Sequence, residues 1–199
     1  MAKTASSEFG MKFLKRPELA LDEKNAAILL GIFKPRQIRK EDYFLRSGEP
    51  STEVGFILNG VFRSFYIDQN GNDVTKYFYM KNEILLSYYA YLTHSESKYS
   101  IQALEDSDIL AAPVSEFEKA VEGNYRLLLF YKKMVDGMLV KKENHASSFT
   151  LLSSEQRYQQ FLAAYPGIEK CVRQHQIASY LGITPVTLSR IRKKLHLIK

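Results

Sequence analysis

Basic and hydroxyl side chains cluster in the C-terminal segment RQHQIASYLGITPVTLSRIRKKL, residues 173–195. Residues 171–199 contain six Lys and Arg and no Asp or Glu, whereas residues 1–170 contain 22 basic and 22 acidic side chains. The net charge of +6 therefore lies entirely in this last part of the chain. A basic segment of this kind attracts a polyanion, because each phosphate that it neutralises releases condensed counterions. A solvated basic tail is the alternative that charge alone leaves open.

The apolar residues of the same segment predict two short helices joined by a tight turn. Gly182 can adopt the left-handed conformation that ends the first helix, and Thr184 and Pro185 are a typical N-cap and first residue of the second. The inner faces of both helices are apolar: Ile177, Ala178, Leu181, Leu188, Ile191 and Leu195. This pattern predicts a helix-turn-helix with a recognition helix at about residues 184–195, apolar inward and basic outward. An αα-hairpin with a basic surface is the structural alternative.

The outward side chains of this motif have the chemistry to bind double-stranded DNA. The planar fork of Arg190 matches a guanine edge, and Val186 suits the methyl group of thymine. Arg192 and the lysines suit phosphates, which position a protein without reading sequence. The predicted DNA-binding residues are Gln176, Thr184, Pro185, Val186, Thr187, Ser189, Arg190, Arg192, Lys193 and Lys194.

The region 36–113 consists of short extended runs separated by turn residues, among them EVGFIL, VFRSFYI, DVTKYFY and DILAA. Asn59-Gly60 and Asn70-Gly71 stand between such runs, and Asn-Gly favours the tight turn of a β-hairpin. Runs of this length and spacing predict an antiparallel sandwich or barrel. Because strands and helices are segregated along the chain rather than alternating, the predicted fold class is α+β.

A long helix is predicted from about residue 124 to residue 147. Four of its residues have the 3-4-3 spacing of a coiled-coil seam: Leu128, Tyr131, Val135 and Met138. Apolar residues also occupy the flanking faces, enough to contact both the β-domain and a second copy of the chain. We therefore predict that this helix forms a homodimer. Packing against the β-domain alone is the alternative.

Shorter helices are predicted before and after these elements. One covers residues 22–33, one is capped by Ser115, and one follows Ser153, which has Gln156 at the spacing of a capping box. The predicted domains are residues 1–115, a β-domain with a short helix; 116–150, the dimerisation helix and hinge; and 151–199, the DNA-binding domain.

The order of these parts resembles the Crp/Fnr family of bacterial regulators. The resemblance covers roughly residues 25–199 and is strongest in QIASYLGITPVTLSRIRKKL and in EVGFILNGVFRSFYIDQNGNDVTKYFY. It implies that the β-domain is an antiparallel double-stranded β-roll, like a cyclic-nucleotide-binding domain. It also implies a dimer that binds a palindromic DNA site through two recognition helices. RNA polymerase is a further partner if the protein activates transcription, and no local pattern identifies a surface for it.

The sequence departs from the family where cyclic nucleotides bind. Members that bind them have a Gly-Glu-Leu run followed by an Arg-Ser or Arg-Thr pair that holds the phosphate. Ser87 stands where the ribose-binding Glu would be, and Ser97-Lys98 where the Arg pair would be, so we expect no cyclic AMP. The candidate effector pocket consists of Ser87, Tyr88, Tyr89, Tyr91, Ser97, Lys98 and Tyr99. Its tyrosines either stack on an unidentified small-molecule effector or fill the pocket.

Neither a cofactor nor a metal is predicted. The four His residues are scattered, so they do not form a metal site, and His94 alone is no basis for haem. Cys171 is the single cysteine and is interpreted as a small buried residue rather than a redox sensor. No stretch reaches about 18 apolar residues and no secretory signal is present, so a cytoplasmic protein is expected.

The helix-turn-helix also differs from that of the cyclic-AMP receptor. Pro185 and Val186 replace an Arg-Glu pair, so the preferred DNA sequence should differ. The segment 166–172 is short for the β-hairpin of many relatives, which predicts a reduced wing.

No catalytic motif is present, so we do not expect an enzyme. The alternative to a DNA-binding regulator is a ligand-sensing β-roll whose C-terminal helices bind a protein. A constitutive DNA binder, with the β-roll as a dimer scaffold, is a third possibility.

Overall fold

The structure is a computed structural model that describes residues 21–195. The beginning of the first predicted domain, and His196 and Lys199 of the basic segment, lie outside the described residues. The elements follow in the order α1 Glu23–Ile32, β1 Lys34–Ile38, β2 Tyr43–Leu45, β3 Glu53–Asn59, β4 Phe62–Ile67, β5 Asp73–Tyr79, β6 Ile84–Leu85, α2 Tyr88–Thr93, β7 Ser100–Ala103, β8 Ser107–Pro113, α3 Val114–Glu122, α4 Tyr125–Leu151, α5 Ser154–Ala164, a 3₁₀ turn Ile168–Lys170, α6 Gln174–Tyr180 and α7 Pro185–Lys194.

The eight strands form two antiparallel sheets, in the strand orders β1-β8-β3-β6 and β2-β7-β4-β5. Side chains of both sheets share one core, which includes Ile57 and Ile109 from the first sheet and Phe62 and Ile101 from the second. The predicted antiparallel sandwich and the α+β class are therefore confirmed.

The two Asn-Gly pairs have different roles. Asn70-Gly71 joins β4 to β5, which pair with each other, so this hairpin is confirmed. The hairpin prediction at Asn59-Gly60 is wrong, because β3 and β4 belong to different sheets. Gly60 has φ +112°, and a Cβ there would lie 2.0 Å from the Ser107 Oγ. This position requires glycine because the chain crosses between the sheets in direct contact with β8.

Local capping signals in the sequence mark most helix ends. Asp22 accepts a hydrogen bond from the Asn25 backbone N–H and begins α1, and Ser153 forms the predicted capping box with Gln156 at the start of α5. The prediction that Ser115 caps α3 is wrong by two residues, because the cap position is Pro113 and Ser115 lies inside the first turn. Among the described residues, no helix has both the length and the apolar character needed to cross a membrane.

The helix α4 has 27 residues and presents two apolar faces. Leu127 and Phe130 are buried with α1, α3 and the first sheet in one core. Leu128 and Leu139 lie on another side of the helix and are exposed. The four residues of the predicted seam therefore do not lie on one exposed face. The ring centroids of Tyr131 and Phe117 are 5.6 Å apart, and Met138 faces the β-domain.

The C-terminal helices dock on the outer face of the second sheet through Phe78 of β5. This ring is 0% exposed, and its centroid lies 5.3 Å from that of Tyr180, 5.8 Å from Phe161 and 5.9 Å from Tyr165. The Thr75 backbone N–H also donates to the Ser179 Oγ of α6 at 3.0 Å. One core therefore joins the β-domain to helices α5, α6 and α7.

Phe78→Ala is expected to lower the free energy of unfolding by about 3–5 kcal/mol, because it removes a ring at the centre of this core. Urea denaturation followed by circular dichroism measures the loss. Tyr125→Ala is the control, since Tyr125 is exposed and its removal should change stability by less than about 0.5 kcal/mol. Similar losses in both variants would contradict the proposed position of Phe78 in a shared core.

Candidate nucleic-acid interface

The inner faces of α6 and α7 hold the two helices in a fixed arrangement. Ile177, Leu188 and Ile191 are buried in the C-terminal core. Gly182 between the helices has φ +64°, and a Cβ there would lie 2.7 Å from the Phe149 ring. Glycine is therefore required at the turn both for its backbone conformation and for the close approach of α4.

The beginning of α7 is defined by the predicted cap. The Thr187 backbone N–H donates to the Thr184 Oγ at 3.1 Å, and Pro185 occupies the first helical turn. The Thr184 and Thr187 hydroxyls lie 2.9 Å apart. Both predicted DNA-binding threonines therefore take part in the cap, which fixes the position of the helix end.

The outer face of α7 is open to solvent. Val186 is 60% exposed, and Ser189, Arg190 and Lys193 are also exposed. Within residues 21–195, neither Arg190 nor Lys193 has an ion-pair partner. This face combines a free guanidinium, a free ammonium, a hydroxyl and an apolar group, which are the groups that contact base edges and phosphates.

Arg192 differs from its outward neighbours on α7, because it has an ion-pair partner inside the C-terminal helices. Its guanidinium lies 3.4 Å from the Glu169 carboxylate and its side chain is only 15% exposed. Tyr158 Oη donates to the same carboxylate at 2.7 Å. Arg192 is therefore held inside the C-terminal domain by the 3₁₀ turn and is not available to a phosphate. Lys194 is exposed but lies 2.5 Å from the Glu155 carboxylate.

Gln176 is also not available as a DNA contact in this arrangement. It is 5% exposed, and its Oε1 accepts a hydrogen bond from the Arg173 backbone N–H at 3.1 Å. Helix α6 packs against β5 of the β-domain, which the sequence segment alone could not indicate. The segment from Pro166 to Val172 forms a 3₁₀ turn without a strand, as expected for a reduced wing.

Cys171 lies next to this turn and is half-buried. Burial raises the pKa of its thiol, which disfavours the reactive thiolate. The Sγ lies 3.3 Å from the Ile168 carbonyl oxygen. These features are those of a structural cysteine, in agreement with the sequence interpretation.

The seven residues of the candidate effector pocket do not line one cavity. Ser87 and Ser97 are buried with their hydroxyls 2.9 Å apart, and the Ser97 Oγ donates to the Tyr99 carbonyl oxygen at 2.7 Å. Tyr99 is buried in the core of the β-domain. The two serine hydroxyls are therefore hydrogen-bonded inside the protein. Protein atoms close the position at which the resemblance predicts a nucleotide.

The remaining members of this set lie outside the β-domain core. Tyr88 and Tyr91 are half-buried and pack toward α4, with their ring centroids 6.1 Å apart. Tyr89 is exposed, and the Lys98 Nζ lies 4.4 Å from the centre of its ring. The structure therefore supports the filled-pocket interpretation at Ser87, Ser97 and Tyr99.

Comparison with known proteins agrees with this architecture. Residues 35–124 match the cyclic nucleotide-binding domain family. FixK2 from Bradyrhizobium japonicum is 19% identical, with a TM-score of 0.72 over 83% of this chain and 85% of that chain. The c-di-GMP responsive global regulator CLP from Xanthomonas campestris is 12% identical, with a TM-score of 0.70 over 88% of this chain and 92% of that chain. A transcriptional regulator of the Crp/Fnr family from Eubacterium rectale is 14% identical, with a TM-score of 0.67 over 89% of this chain and 84% of that chain.

The fold of this chain is therefore similar to that of these Crp/Fnr regulators. The resemblance stated from the sequence is confirmed. At these identities the solved structures establish the fold, and the search of curated proteins gave no match.

Lys76 is an unusual residue of the β-domain that the sequence analysis did not identify. Thr75 and Tyr77 pair with Phe65 and Ser64, which are adjacent on β4. Lys76 between them therefore has no partner on β4 and forms a bulge in β5. The Lys76 Nζ lies 3.6 Å from the centre of the Tyr99 ring. Burial, with a smaller effect of Lys142, lowers the pKa of Lys76 to about 8. Only the bulge turns this side chain inward, and no local pattern predicted it.

Lys76→Met is expected to increase stability at pH 7, because the buried ammonium opposes folding there. Between pH 8 and pH 10.5 the unfolded chain binds more protons at this residue than the folded protein, whose Lys76 pKa is lowered from 10.5 to about 8. The contribution of Lys76 to the free energy of unfolding therefore rises with pH in this window. The difference in the free energy of unfolding between the variant and the wild-type chain should thus decrease between pH 7 and pH 10.

The urea midpoints of both proteins at the two pH values measure this difference, with Lys40→Met at an exposed position as control. A difference that does not depend on pH would contradict the inward position of Lys76.

Proposed function

We propose that this Crp/Fnr-like chain is a sequence-specific DNA-binding regulator that acts as a homodimer on a palindromic site. The observation that carries the proposal is the state of α7. Its inner face is fixed in the core by Leu188 and Ile191, while Arg190 and Lys193 on its outer face are exposed and have no ion-pair partner among the described residues. A helix held on one side and free on the other suits insertion into the major groove.

Base recognition is assigned to the exposed centre of this face. Arg190 can form two hydrogen bonds with a guanine, and Ser189 can bond a base or a phosphate. Val186 can contact a thymine methyl group. Lys193 lies one turn or less from Arg190 and supplies a phosphate contact. The short outer face thus provides both the contacts that read sequence and the contact that sets register.

Dimerisation is assigned to the exposed apolar side of α4. Leu128, Val135 and Leu139 recur at spacings of seven and four residues, which places them along one side of a helix. Leu139 is 62% exposed, although a large apolar side chain in this position gains stability when it is covered. A second copy of α4 presents the same stripe, so a two-fold contact buries both. Two recognition helices related in this way favour an inverted repeat in the DNA.

The β-domain is proposed to be a scaffold that needs no cyclic nucleotide for DNA binding. The buried serines Ser87 and Ser97 bond to each other, and the neighbouring Lys98 Nζ lies 4.4 Å from the centre of the Tyr89 ring, so no Arg fork is present to hold a phosphate. The docking of α6 on Phe78 leaves the outer face of α7 exposed. The described arrangement is therefore suited to DNA binding without a ligand in that pocket. Contact with RNA polymerase stays a prediction from the resemblance.

In vitro selection from a random DNA pool, with purified protein, no added ligand and near-physiological salt, tests this function. Enrichment of an inverted repeat with half-sites about one helical turn apart would support a dimeric regulator. Failure to enrich any sequence would contradict it and favour the alternative in which the C-terminal helices bind a protein.

Arg190→Ala is expected to weaken binding to the selected site by about 1–3 kcal/mol and to relax preference at one base step. Lys193→Ala should weaken binding to all sequences and reduce the salt slope by about one. Titrations against the selected site and its single-base variants, at several salt concentrations, measure both effects.

Arg192→Ala is the matched control for Arg190→Ala. Its guanidinium is engaged with Glu169, so its loss should leave the base preference unchanged. The assignment of base reading to Arg190 fails if the two arginine variants lose the same specificity.

Leu139→Glu is expected to shift the protein from dimer to monomer, because it places a charge in the proposed seam. Sedimentation equilibrium measures the change. Val140→Glu is the control, since residue 140 is exposed but lies about 100° further round the helix. Equal dissociation of both variants, or a monomeric wild-type chain, would contradict the assigned seam.

A further inference from the structure

A cavity of about 210 Å³ lies between the β-domain and α4, away from the closed nucleotide position. The β-domain side is formed by Tyr77 and Tyr79 of β5 and by Ile84 of β6. Met134 and Met138 form part of the α4 side. Aromatic rings and thioethers on opposite walls offer favourable contacts to a flat ring.

The carboxylate of Glu83 is one of the polar groups that line this cavity, together with Asn82, Lys133 and Lys141. Its side chain is only 17% exposed, and burial raises the pKa of the group. Oε1 is bound by the Lys141 ammonium, whereas Oε2 accepts only a 3.4 Å bond from the Met80 backbone N–H among residues 21–195. A buried carboxylate oxygen with one long hydrogen bond retains the capacity to accept another. Glu83 can therefore bind a donor that enters the cavity.

Gly137 keeps the α4 wall of the cavity open. It is the single glycine of α4, and a glycine inside a helix costs about 1 kcal/mol relative to alanine. A Cβ at this position would meet no atom within 4 Å, so glycine is not required there by a close contact. The missing side chain instead leaves space beside Tyr77, Tyr79 and Glu83.

We propose that this cavity binds a small planar aromatic molecule of one or two rings that carries an N–H or O–H donor. The ring would lie between the tyrosines of β5 and the methionines of α4, and the donor would bond to Glu83. The volume is below the roughly 300–1,000 Å³ of pockets for drug-sized ligands, which restricts the ligand to one or two rings. Lys141 at the cavity already neutralises Glu83, which favours a neutral donor over a cation.

The position of the cavity connects such a ligand to both proposed interfaces. Tyr77 and Tyr79 flank Phe78, on which the C-terminal helices dock. Met134 and Met138 belong to the helix assigned to dimerisation. An effect of the ligand on DNA affinity rests on the proposed function, whereas its binding does not.

Indole is the probe, because it has two rings and one N–H, and because the chain contains no Trp. Its fluorescence can therefore be followed in the presence of the full-length protein. We expect a saturable blue shift as indole enters the cavity. 1-Methylindole, which lacks the donor, should bind about tenfold more weakly, as expected for the loss of one hydrogen bond of about 1.4 kcal/mol. No saturable shift with indole, or equal affinity for the two probes, would overturn the proposal.

Gly137→Leu tests the location, since its side chain should fill the cavity and weaken indole binding at least about tenfold. Gly31→Leu is the matched control, because Gly31 also lies in a helix with no atom within 4 Å of an added Cβ. Circular dichroism checks that both variants fold. If Gly137→Leu unfolds, Met138→Phe, which enlarges the side chain at the next residue of the cavity wall and adds no indole fluorescence, replaces it.

Unchanged indole affinity in the folded cavity variant would overturn the site. The DNA selection without ligand is measured on the same wild-type preparation. Failure of indole binding while an inverted repeat is still enriched would reject the cavity proposal alone. Failure of the selection with intact indole binding would reject the DNA-binding function alone.

Discussion

The rest of the structure depends on the burial of both faces of β5. Successive residues of a strand point to opposite sides, so Tyr77 and Tyr79 fill the interior of the β-domain while Phe78 points outward. Phe161, Tyr165 and Tyr180 cover the outward ring. One strand thus belongs to two cores, and the C-terminal helices cannot change their orientation without exposing that ring. The position of α7 relative to α4 is consequently a property of the β-domain as much as of the helices.

Polar contacts restrict this docking further. Arg63 of β4 is buried on the outer face of the same sheet and lies 2.6 Å from the Asp73 carboxylate. The hydrogen bond from Arg63 is the main reason that the pKa of Asp73 is lowered. Both residues belong to the second sheet, so this pair joins β4 to β5 rather than the sheet to α6. Aromatic packing supplies the area of contact, and the Thr75–Ser179 hydrogen bond is a polar contact between the sheet and α6.

The β-domain retains the fold of a nucleotide-binding domain while its chemistry at that position has changed. Ser87 and Ser97, which the sequence resemblance predicts at the positions of the acidic and basic side chains that bind a cyclic nucleotide, bond to each other. Lys76 lies nearby against Tyr99, a position that a charge tolerates poorly, as its lowered pKa indicates. The open space lies instead on the α4 side, beside Gly137 and Glu83. The fold therefore keeps a route by which a ligand could contact α4, at a different place and with different chemistry.

The sequence by itself determined the features that depend on residues within a few positions of each other. The caps at Asp22, Ser153 and Thr184 and the apolar faces of α6 and α7 follow from such local contacts, and the structure contains them. Only the tertiary structure decided which outward groups are free. Arg192 looks like its neighbours in the sequence, but Glu169, more than 20 residues earlier, engages it. Gln176 is buried on a helix that packs against β5, and Asn59-Gly60 joins two sheets rather than two paired strands. The physical reason is the same in each case, since burial and ion pairing depend on distant segments of the chain that helical or strand periodicity does not identify.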